Sequence, residues 1–228
     1  MSYGLKVEVW GKYALFSRPE LKTERMSYEI ITPSAARGLI EAIYWHPGFH
    51  IIIDRVYLLQ PYGIPKGIET DDPIHFINVR RNEVKSKIPA SKIKTMVMNG
   101  EVPYLNAKED IAQRAATILS DVHYVIEAHF EMTSNAGRED NEGKFKDIFR
   151  RRLKNGRAYM QPYFGCREFP AFFAEWKDED IPAVDITKDL GLMLYDLDYT
   201  DPGNIQPMYF HAKLEHGVMQ VSGEKVLK

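Results

Sequence analysis

The sequence of 228 residues lacks most features of secreted, membrane and metal-dependent proteins. Its single cysteine, Cys166, excludes an internal disulfide and zinc sites that need several cysteines, and it favours a cytoplasmic location. No run reaches the ~18 consecutive apolar residues of a membrane helix. The first residues also lack the basic and apolar regions of a signal peptide. These absences leave an ordinary globular protein as the expectation.

Motifs for nucleotide and acyl-transfer chemistry are missing as well. The sequence contains neither the Gly-x-x-x-x-Gly-Lys-Ser/Thr loop of nucleotide-binding proteins nor the Gly-x-Ser-x-Gly turn of hydrolases. Arg167 beside Cys166 would favour a reactive thiolate. A lone cysteine is nevertheless more often a small packing residue. No cofactor is therefore expected.

One metal site has to be considered. His123, Glu127 and His129 are spaced so that they share one face of a predicted strand. Such residues can bind a metal, but histidines on half-buried strands are more often structural. We therefore rank a metal-dependent enzyme below the alternatives that follow.

The charges are balanced in sum but segregated along the chain. There are 30 basic and 32 acidic residues, a net charge of −2. Arg80–Lys94 holds six basic residues and one acid, and Lys144–Arg157 holds seven and one. A single run of this kind is typical of a solvated surface, yet two such runs in a neutral chain predict a local positive field.

The hydrophobic pattern predicts an α+β fold. Thr32-Pro33 begins a helix that extends to Trp45, and a second helix spans Gly143–Asn155 with Gly156 after its end. The segment Lys85–Asp121 reads as an insertion with a short helix at Gln113–Leu119. Strands are predicted over 5–16 (broken or bulged near Gly11), 49–60, 74–80 and 122–132, with a partly irregular one over 159–176.

This order predicts a ferredoxin-like or RNA-recognition-type domain, an antiparallel sheet with two helices, over residues 1–176. Residues 177–228 are predicted to add a small C-terminal antiparallel β-sheet. The second helix carries a basic stripe, and Tyr159, Tyr163 and Phe164 follow it. Basic groups with interleaved aromatics suit RNA, because the charges bind phosphates and the rings stack on bases.

Four segments together resemble a known family. They are GKYALFSRPELKTERMSYEIITPSAARGLIEAIYWHP, DVHYVIEAHFEM, NEGKFKDIFRRRLKNGR and PYFGCREFPAFF. They are similar to the Cas-five family of the type I-C (Dvulg) CRISPR system, within the repeat-associated (RAMP) superfamily. The resemblance covers most of residues 4–176, and the insertion matches least well.

The resemblance implies an endoribonuclease that cleaves precursor CRISPR RNA at the repeat hairpin. It also implies that the protein stays on the 5′ handle as a subunit of the surveillance complex. Catalytic positions of the family fall on Tyr44, Lys144 and Phe145, the last being His in some members. Phenylalanine cannot transfer a proton, which puts that role in doubt. The residues expected to bind RNA are Lys146, Arg150, Arg151, Arg152, Lys154, Arg157, Arg80, Arg81 and Tyr163.

Metal-free cleavage would use the 2′-OH as the nucleophile, with Lys144 stabilising the phosphorane and Tyr44 orienting the hydroxyl or exchanging its proton. Loss of an acid or base costs roughly 10²–10⁴ in rate, so a slow enzyme with essentially one turnover is expected. Tyr44 would be a poor base unless Lys144 lowers its pKa. Of the neighbouring residues Tyr44 and Trp45, Trp45 is expected to be the one that packs on the sheet.

The alternative is a non-catalytic subunit that binds the 5′ handle. The expected partners are the repeat RNA and other complex subunits, with non-specific DNA binding left open.

Overall fold

The computed structural model describes residues 4–21, 23–64, 72–84, 87–201 and 203–228. Nine strands and three helices lie in these ranges. In chain order they are β1 (Gly4–Ala14), β2 (Arg25–Met26), α1 (Pro33–Ile43), β3 (Phe49–Leu58), β4 (His75–Val84), α2 (Ala90–Met98), β5 (Ile111–Met132), α3 (Glu142–Lys154), β6 (Phe172–Glu175), β7 (Lys188–Asp198), β8 (Gln206–Leu214) and β9 (Val218–Gln220).

The main sheet is built around the long strand β5. Its strand order is β6-β1-β5-β3-β9, and β2 and β4 also pair with β5. Every pairing is antiparallel except that of β2. The C-terminal half of β5 lies between β1 and β3, whereas its N-terminal half forms a two-stranded antiparallel ribbon with β4.

The core lies on one face of this sheet, where α1 and α3 pack. Alternate residues of β5 point into it, which fits the period of two of a strand with one buried face. These buried residues are Val122, Tyr124, Ile126, Ala128 and Phe130. From the helices, Leu39, Ile40 and Ile43 of α1 and Phe145, Phe149 and Leu153 of α3 complete the core.

Helix α1 begins at its predicted cap but ends at Ile43, before the predicted limit at Trp45, and α3 ends before its predicted glycine. The Thr32 side chain accepts a hydrogen bond from the Ala35 N–H, and Pro33 stands at the first helical position. In α3 the Asn141 side chain caps the N-terminus, and Gly156 follows the C-cap with φ of 60°. Such a positive φ is natural for glycine, so Gly156 ends the helix as expected.

A smaller antiparallel sheet of β7 and β8 packs beside the main one. The Arg37 guanidinium of α1 donates to both Asp196 carboxylate oxygens of β7, at 2.9 and 2.8 Å. The following strand, β9, pairs with β3 of the main sheet. The α+β class and the second, small antiparallel sheet are therefore confirmed.

Three local expectations are wrong. Gln113–Leu119 is not a helix, because it belongs to β5 and pairs with β4. The predicted insertion instead contains a helix that was not predicted, α2. The first two residues of the insertion, Lys85 and Ser86, lie outside the described residues. Gly11 lies inside an unbroken β1, where a Cβ would meet Phe164 Cε2 at 2.8 Å. The strand is not broken at this position, and a glycine is required there because Phe164 packs too closely for a side chain.

Within the described ranges, no helix is long and apolar enough to cross a membrane.

Candidate active site and nucleic-acid interface

The ends of two helices bring Tyr44 and Lys144 to the same region. Tyr44 is the C-cap of α1, with extended backbone, and Lys144 lies in the first turn of α3. The two helices pack on the same sheet face, and the two side chains are within electrostatic range of each other. The structure thus brings together two residues that the sequence analysis selected from distant motifs.

Phe145 belongs to the core beneath this region. Its side chain is 1% exposed, and its ring lies 6.4 Å from the Tyr44 ring and 4.8 Å from the Phe49 ring, measured between centroids. Phe130 packs against the same ring. A buried aromatic ring with these neighbours stabilises the fold and has no proton to exchange.

Tyr44, and not Trp45, is the packing residue at the end of α1. The Tyr44 side chain is 8% exposed and packs on Phe49, whereas Trp45 is 57% exposed. The sequence expectation for this pair is therefore wrong. The two side chains leave an extended segment on opposite sides, so burying one exposes the other. The exposed indole is available for stacking on a base.

Arg152 joins the site to the basic surface of α3. Its guanidinium carbon lies 5.1 Å from the centroid of the Tyr44 ring. Its Nη1 donates to the carbonyl oxygen of Ile43 at 3.1 Å, one of the carbonyls at the end of α1. A cation at that position is favoured by the negative end of the helix dipole. Arg152 therefore fixes the position of Tyr44 as well as contributing positive charge.

Lys144 is paired with a carboxylate that the sequence analysis did not select. Its Nζ lies 2.8 Å from Asp140 Oδ1, and Asp140 Oδ2 accepts from the Gly137 N–H at 2.8 Å. The hydrogen bond from Lys144 lowers the pKa of Asp140, and the same bond raises the pKa of Lys144. Lys144 is thus held as an ammonium, suited to charge stabilisation and unsuited to act as a base.

Burial is the largest influence on Tyr44, and it raises the pKa of the phenol above its ordinary value. Arg152 and Lys144 lower that pKa and Asp140 raises it, and the net shift is upward. The condition under which Tyr44 would serve as a base, a pKa lowered by Lys144, is therefore not met. A neutral phenol remains a hydrogen-bond donor.

A tight turn, His46-Pro47-Gly48, follows Tyr44 and contacts the loop before α3. The Gly48 N–H donates to His46 Nδ1 at 3.0 Å, and the Thr133 N–H donates to the Gly48 carbonyl oxygen at 3.0 Å. Thr133 Oγ1 also donates to the Pro47 carbonyl oxygen at 2.5 Å. These bonds place the imidazole of His46 in the same region as Asp140. Sequence reasoning missed both residues, although His46 lies two positions from Tyr44 in the same motif.

A basic cleft opens beside this region. It has a volume of ≈ 540 Å³ and is lined by three of the predicted arginines, Arg151, Arg152 and Arg157, together with Ile148, Asn155, Gly156 and Ala158. Arg152 links the two places, because it lines the cleft and also contacts the Tyr44 ring. Exposed Tyr159 follows the cleft, and its N–H donates to the carbonyl oxygens of Ala42 and Ile43.

The remaining basic residues of α3 do not line this cleft. Arg150 Nε donates to Glu175 of β6 at 2.6 Å. Lys146 and Arg150 line a separate cleft of ≈ 250 Å³ together with Glu175 and Lys177. Lys154 is exposed in the last turn of the helix. The stripe read from the sequence is therefore divided between two surfaces.

Arg80, Arg81 and Tyr163 do not line the basic cleft. Arg80 pairs with Ala115 in the N-terminal half of β5, whereas Phe130, near the other end of β5, packs against Phe145 beneath the Tyr44 region. At ~3.3 Å per residue of strand, Ala115 and Phe130 are about 50 Å apart along β5. Arg81 donates to Glu83 at 3.1 Å. Half-buried Tyr163 lines a groove of ≈ 320 Å³ beside α1. An RNA contacting all of these residues would have to extend along the molecule.

The three candidate metal ligands each have partners of their own. His123 Nε2 lies 2.9 Å from Glu8 Oε1, and His129 Nδ1 lies 2.9 Å from Asp54 Oδ2. Glu127 accepts from the Tyr57 hydroxyl at 3.0 Å. No cluster of three or more potential ligands occurs in the part of the chain that the structure describes.

Cys166 is half-buried and is not primed as a nucleophile. Burial raises the pKa of its thiol, Glu168 raises it further, and Arg25 and Arg81 oppose this in part. The neutral thiol is favoured, which is typical of a small packing residue.

The fold and the site together define an α+β protein with a basic cleft beside a Tyr–Lys pair. Comparison with known proteins gives the family. The family described as CRISPR-associated protein (Cas_Cas5) matches residues 4–222. The chain belongs to this family, in its Cas5d branch, as the sequence motifs predict.

Two curated relatives carry the same name. The "CRISPR pre-crRNA endoribonuclease Cas5d" of Mannheimia succiniciproducens is 43% identical over 229 residues, covering 97% of this chain and 96% of the relative. The protein of that name from Thermus thermophilus is 37% identical over 238 residues, covering 97% and 92%. The enzyme class expected from the sequence is the class that these names state.

Solved structures agree on the fold. A CRISPR-associated protein superposes with a TM-score of 0.67 at 20% identity, covering 100% of this chain and 97% of that one. A functionally uncharacterized protein from Streptococcus mutans gives 0.64 at 22% identity, covering 100% and 98%.

Proposed function

We propose that this protein is a pre-crRNA endoribonuclease that cuts the CRISPR repeat without a metal ion. The proposal rests on the proximity of Tyr44 and Lys144, which interact electrostatically beside a cleft lined by Arg151, Arg152 and Arg157. The 43% identity to a relative named as such an enzyme supports it. The arginines would bind the phosphates that flank the cut, and exposed Trp45 would stack on a base next to it.

The chemistry needs no external nucleophile. The 2′ oxygen of the ribose forms a bond to the adjacent phosphorus, and the bond from phosphorus to the 5′ oxygen breaks. The proton of the 2′-OH is lost and the 5′ oxygen gains one, with water as the carrier, so no net proton is consumed. The products are a 2′,3′-cyclic phosphate and a 5′-OH. The protein's contribution is alignment and stabilisation of the added negative charge.

In this scheme Lys144 stabilises the phosphorane and Tyr44 orients the 2′-OH. Lys144 is held as an ammonium by Asp140, in reach of an incoming phosphate because its side chain is 46% exposed. Tyr44 acts as a neutral phenol, since burial raises its pKa. Without a strong base the reaction is expected to be slow. A slow enzyme that remains on the 5′ handle of its product would still suffice.

The fold supports an RNA-recognition-type domain. The elements β1-α1-β3-β5-α3-β6 follow the βαββαβ order, and their strands lie in the order β6-β1-β5-β3. This is the arrangement of the split βαβ plan, with β4 and α2 inserted before β5. We propose that residues 1–176 form this domain and that residues 177–228 form the appendage. We further propose that the protein serves in a type I-C surveillance complex, where the appendage and the insertion are free to meet other subunits.

One assay tests the activity. Wild type is incubated with RNA of the repeat encoded beside its gene, in excess EDTA, next to Tyr44→Phe and Lys144→Ala. We expect one cut with a cyclic-phosphate end, slowed by roughly 10²-fold or more in Lys144→Ala. Lys188→Ala is the matched control, because that lysine also pairs with a carboxylate at 2.8 Å, that of Glu29, and is 50% exposed, but lies in β7 and lines neither basic cleft.

The alternative is a subunit that binds the 5′ handle without cutting it. The burial of Phe145 and the raised pKa of Tyr44 favour this alternative, since neither side chain supplies a base. Binding without any cut, in wild type and variants alike, would establish it. Loss of cutting in EDTA would instead require a metal ion and refute the proposed chemistry.

A further inference from the structure

The imidazole of His46 is the strongest remaining candidate for a role in the reaction, and this inference rests on the proposed function. His46 follows Tyr44 by two residues and lies beside the Lys144–Asp140 pair. Its ring centroid is 5.0 Å from that of Phe145, and it stacks on Phe49 at 6.3 Å with an interplanar angle of 20°. Two aromatic neighbours therefore fix the plane of a half-buried imidazole.

The turn also fixes which ring nitrogen carries the proton. The Gly48 N–H points at His46 Nδ1 at 3.0 Å, and a backbone N–H can only donate. Nδ1 is therefore the acceptor, and the neutral ring carries its hydrogen on Nε2. Among the described residues, none makes a hydrogen bond to Nε2.

The turn itself leaves little freedom. Gly48 has no side chain, and a Cβ there would lie 2.9 Å from His46 Nδ1 and 3.1 Å from Ala136 Cα. Thr133 holds the carbonyl groups of Pro47 and Gly48 from the facing loop. The imidazole is thus oriented before any substrate arrives, as a preorganised donor has to be.

The charged and titratable groups around His46 suit a donor to a phosphate oxygen. They are Tyr44 from the end of α1, Asp140 from the loop and Lys144 from α3, with Arg152 over the Tyr44 ring. His46 is close enough to Asp140 to interact with that carboxyl electrostatically. A phosphate next to the Lys144 ammonium would therefore lie in the neighbourhood of His46.

We propose that His46 is an electrostatic catalytic residue whose Nε2–H, in the neutral imidazole, donates to a non-bridging oxygen of the scissile phosphate. The hydrogen bond strengthens as negative charge builds on the phosphorane, which lowers the barrier. No proton is transferred by His46 in this role. Transfer from or to Nδ1 would first require breaking the bond from Gly48.

Two substitutions separate this role from a structural one. His46→Gln places an amide N–H near the position of Nε2 but loses the ideal acceptor for Gly48. His46→Asn places its oxygen near the position of Nδ1, so it keeps the acceptor for the Gly48 N–H, but its side chain is too short to reach the phosphate. Single-turnover cleavage of the repeat RNA is measured for both, with RNA affinity and thermal unfolding as controls.

We expect His46→Asn to cleave about 10²-fold more slowly than wild type, with RNA affinity nearly unchanged. We expect His46→Gln to retain most of the rate, because its amide N–H takes the place of the Nε2–H.

A wild-type rate in His46→Asn would overturn the inference, because the turn alone would then suffice. A rate in His46→Gln as low as that in His46→Asn would also overturn it, because a donor at the position of Nε2 would then contribute nothing. Either result leaves the proposed function intact, provided that wild type cuts. Failure of wild type to cut would refute the function itself.

Discussion

Replacing Arg152 by alanine should destabilise the whole fold, although the residue belongs to a basic surface. The guanidinium contacts the face of the Tyr44 ring at 5.1 Å, a cation–π contact worth about 0.5–2 kcal/mol depending on its hydration. Its hydrogen bond to the Ile43 carbonyl oxygen, from a charged donor, is worth about 1.5–3 kcal/mol. The two together predict a loss of about 2–5 kcal/mol in the free energy of unfolding.

The measurement is urea unfolding of wild type, Arg152→Ala, Arg152→Lys and Arg151→Ala. Arg151 is the matched control, since it is exposed, lies next in the same helix and lines the same cleft. We expect its removal to cost less than about 0.5 kcal/mol. Lysine should recover only part of the loss in Arg152→Ala, because an ammonium lacks the planar group that contacts ring and carbonyl together. The m-value should be unchanged.

Equal midpoints for Arg152→Ala and Arg151→Ala would refute the reasoning. The contacts of Arg152 would then contribute nothing net, and Arg152 would have to be regarded as an RNA-binding residue only.

Two further predictions concern the C-terminal part. Gly217 has φ of 74°, and a Cβ there would lie 2.1 Å from the Val184 carbonyl oxygen, whereas Gly100, with φ of 75°, has no atom within 4 Å of that position. Gly217→Ala should therefore destabilise by at least about 2 kcal/mol more than Gly100→Ala in the same unfolding assay, and equal losses would contradict the clash. Asp198 accepts from Lys228 Nζ at 2.6 Å and from Thr200, contacts that hold the pKa of its carboxyl well below its ordinary value. A lowered pKa stabilises the fold above the unfolded value of about 3.9 and less as the pH falls below it, so wild type should lose more stability between about pH 5 and pH 2 than Asp198→Asn, and identical pH profiles would contradict this.

Helices α1 and α3 could be predicted because their limits are local. Thr32-Pro33 supplies the start of α1, and Gly156 supplies the positive φ after α3. The apolar positions recur at helical spacing, and no distant residue is needed to recognise them.

The segment 113–119 could not be read in this way. Its alanines, Gln113 and Arg114 have good helix propensity. In the structure the whole of β4 pairs beside it, and these backbone hydrogen bonds outweigh the local preference. Strand propensity depends on neighbours that a local window does not contain.

The site shows the same division. The motifs identified Tyr44 and Lys144, but they did not predict the contacts of these two side chains. Which of Tyr44 and Trp45 is buried depends on how the chain leaves α1, and the pairing of Lys144 with Asp140 depends on the loop conformation. His46 could not be identified from the sequence, because the orientation of its ring depends on contacts with Gly48 and Phe145 that only the folded chain brings about.

The pairing of β9 with β3 has a consequence for synthesis on the ribosome. Arg55 of β3 pairs with Gln220 of β9, a separation of 220 − 55 = 165 residues. At 5–20 residues per second, the outer edge of β3 waits roughly 10–30 s for its partner after it is made. During that time its unpaired N–H and C=O groups are open to other strands. Slower translation between the two would lengthen this exposure, so the expression yield should depend on how quickly the ribosome moves from β3 to β9.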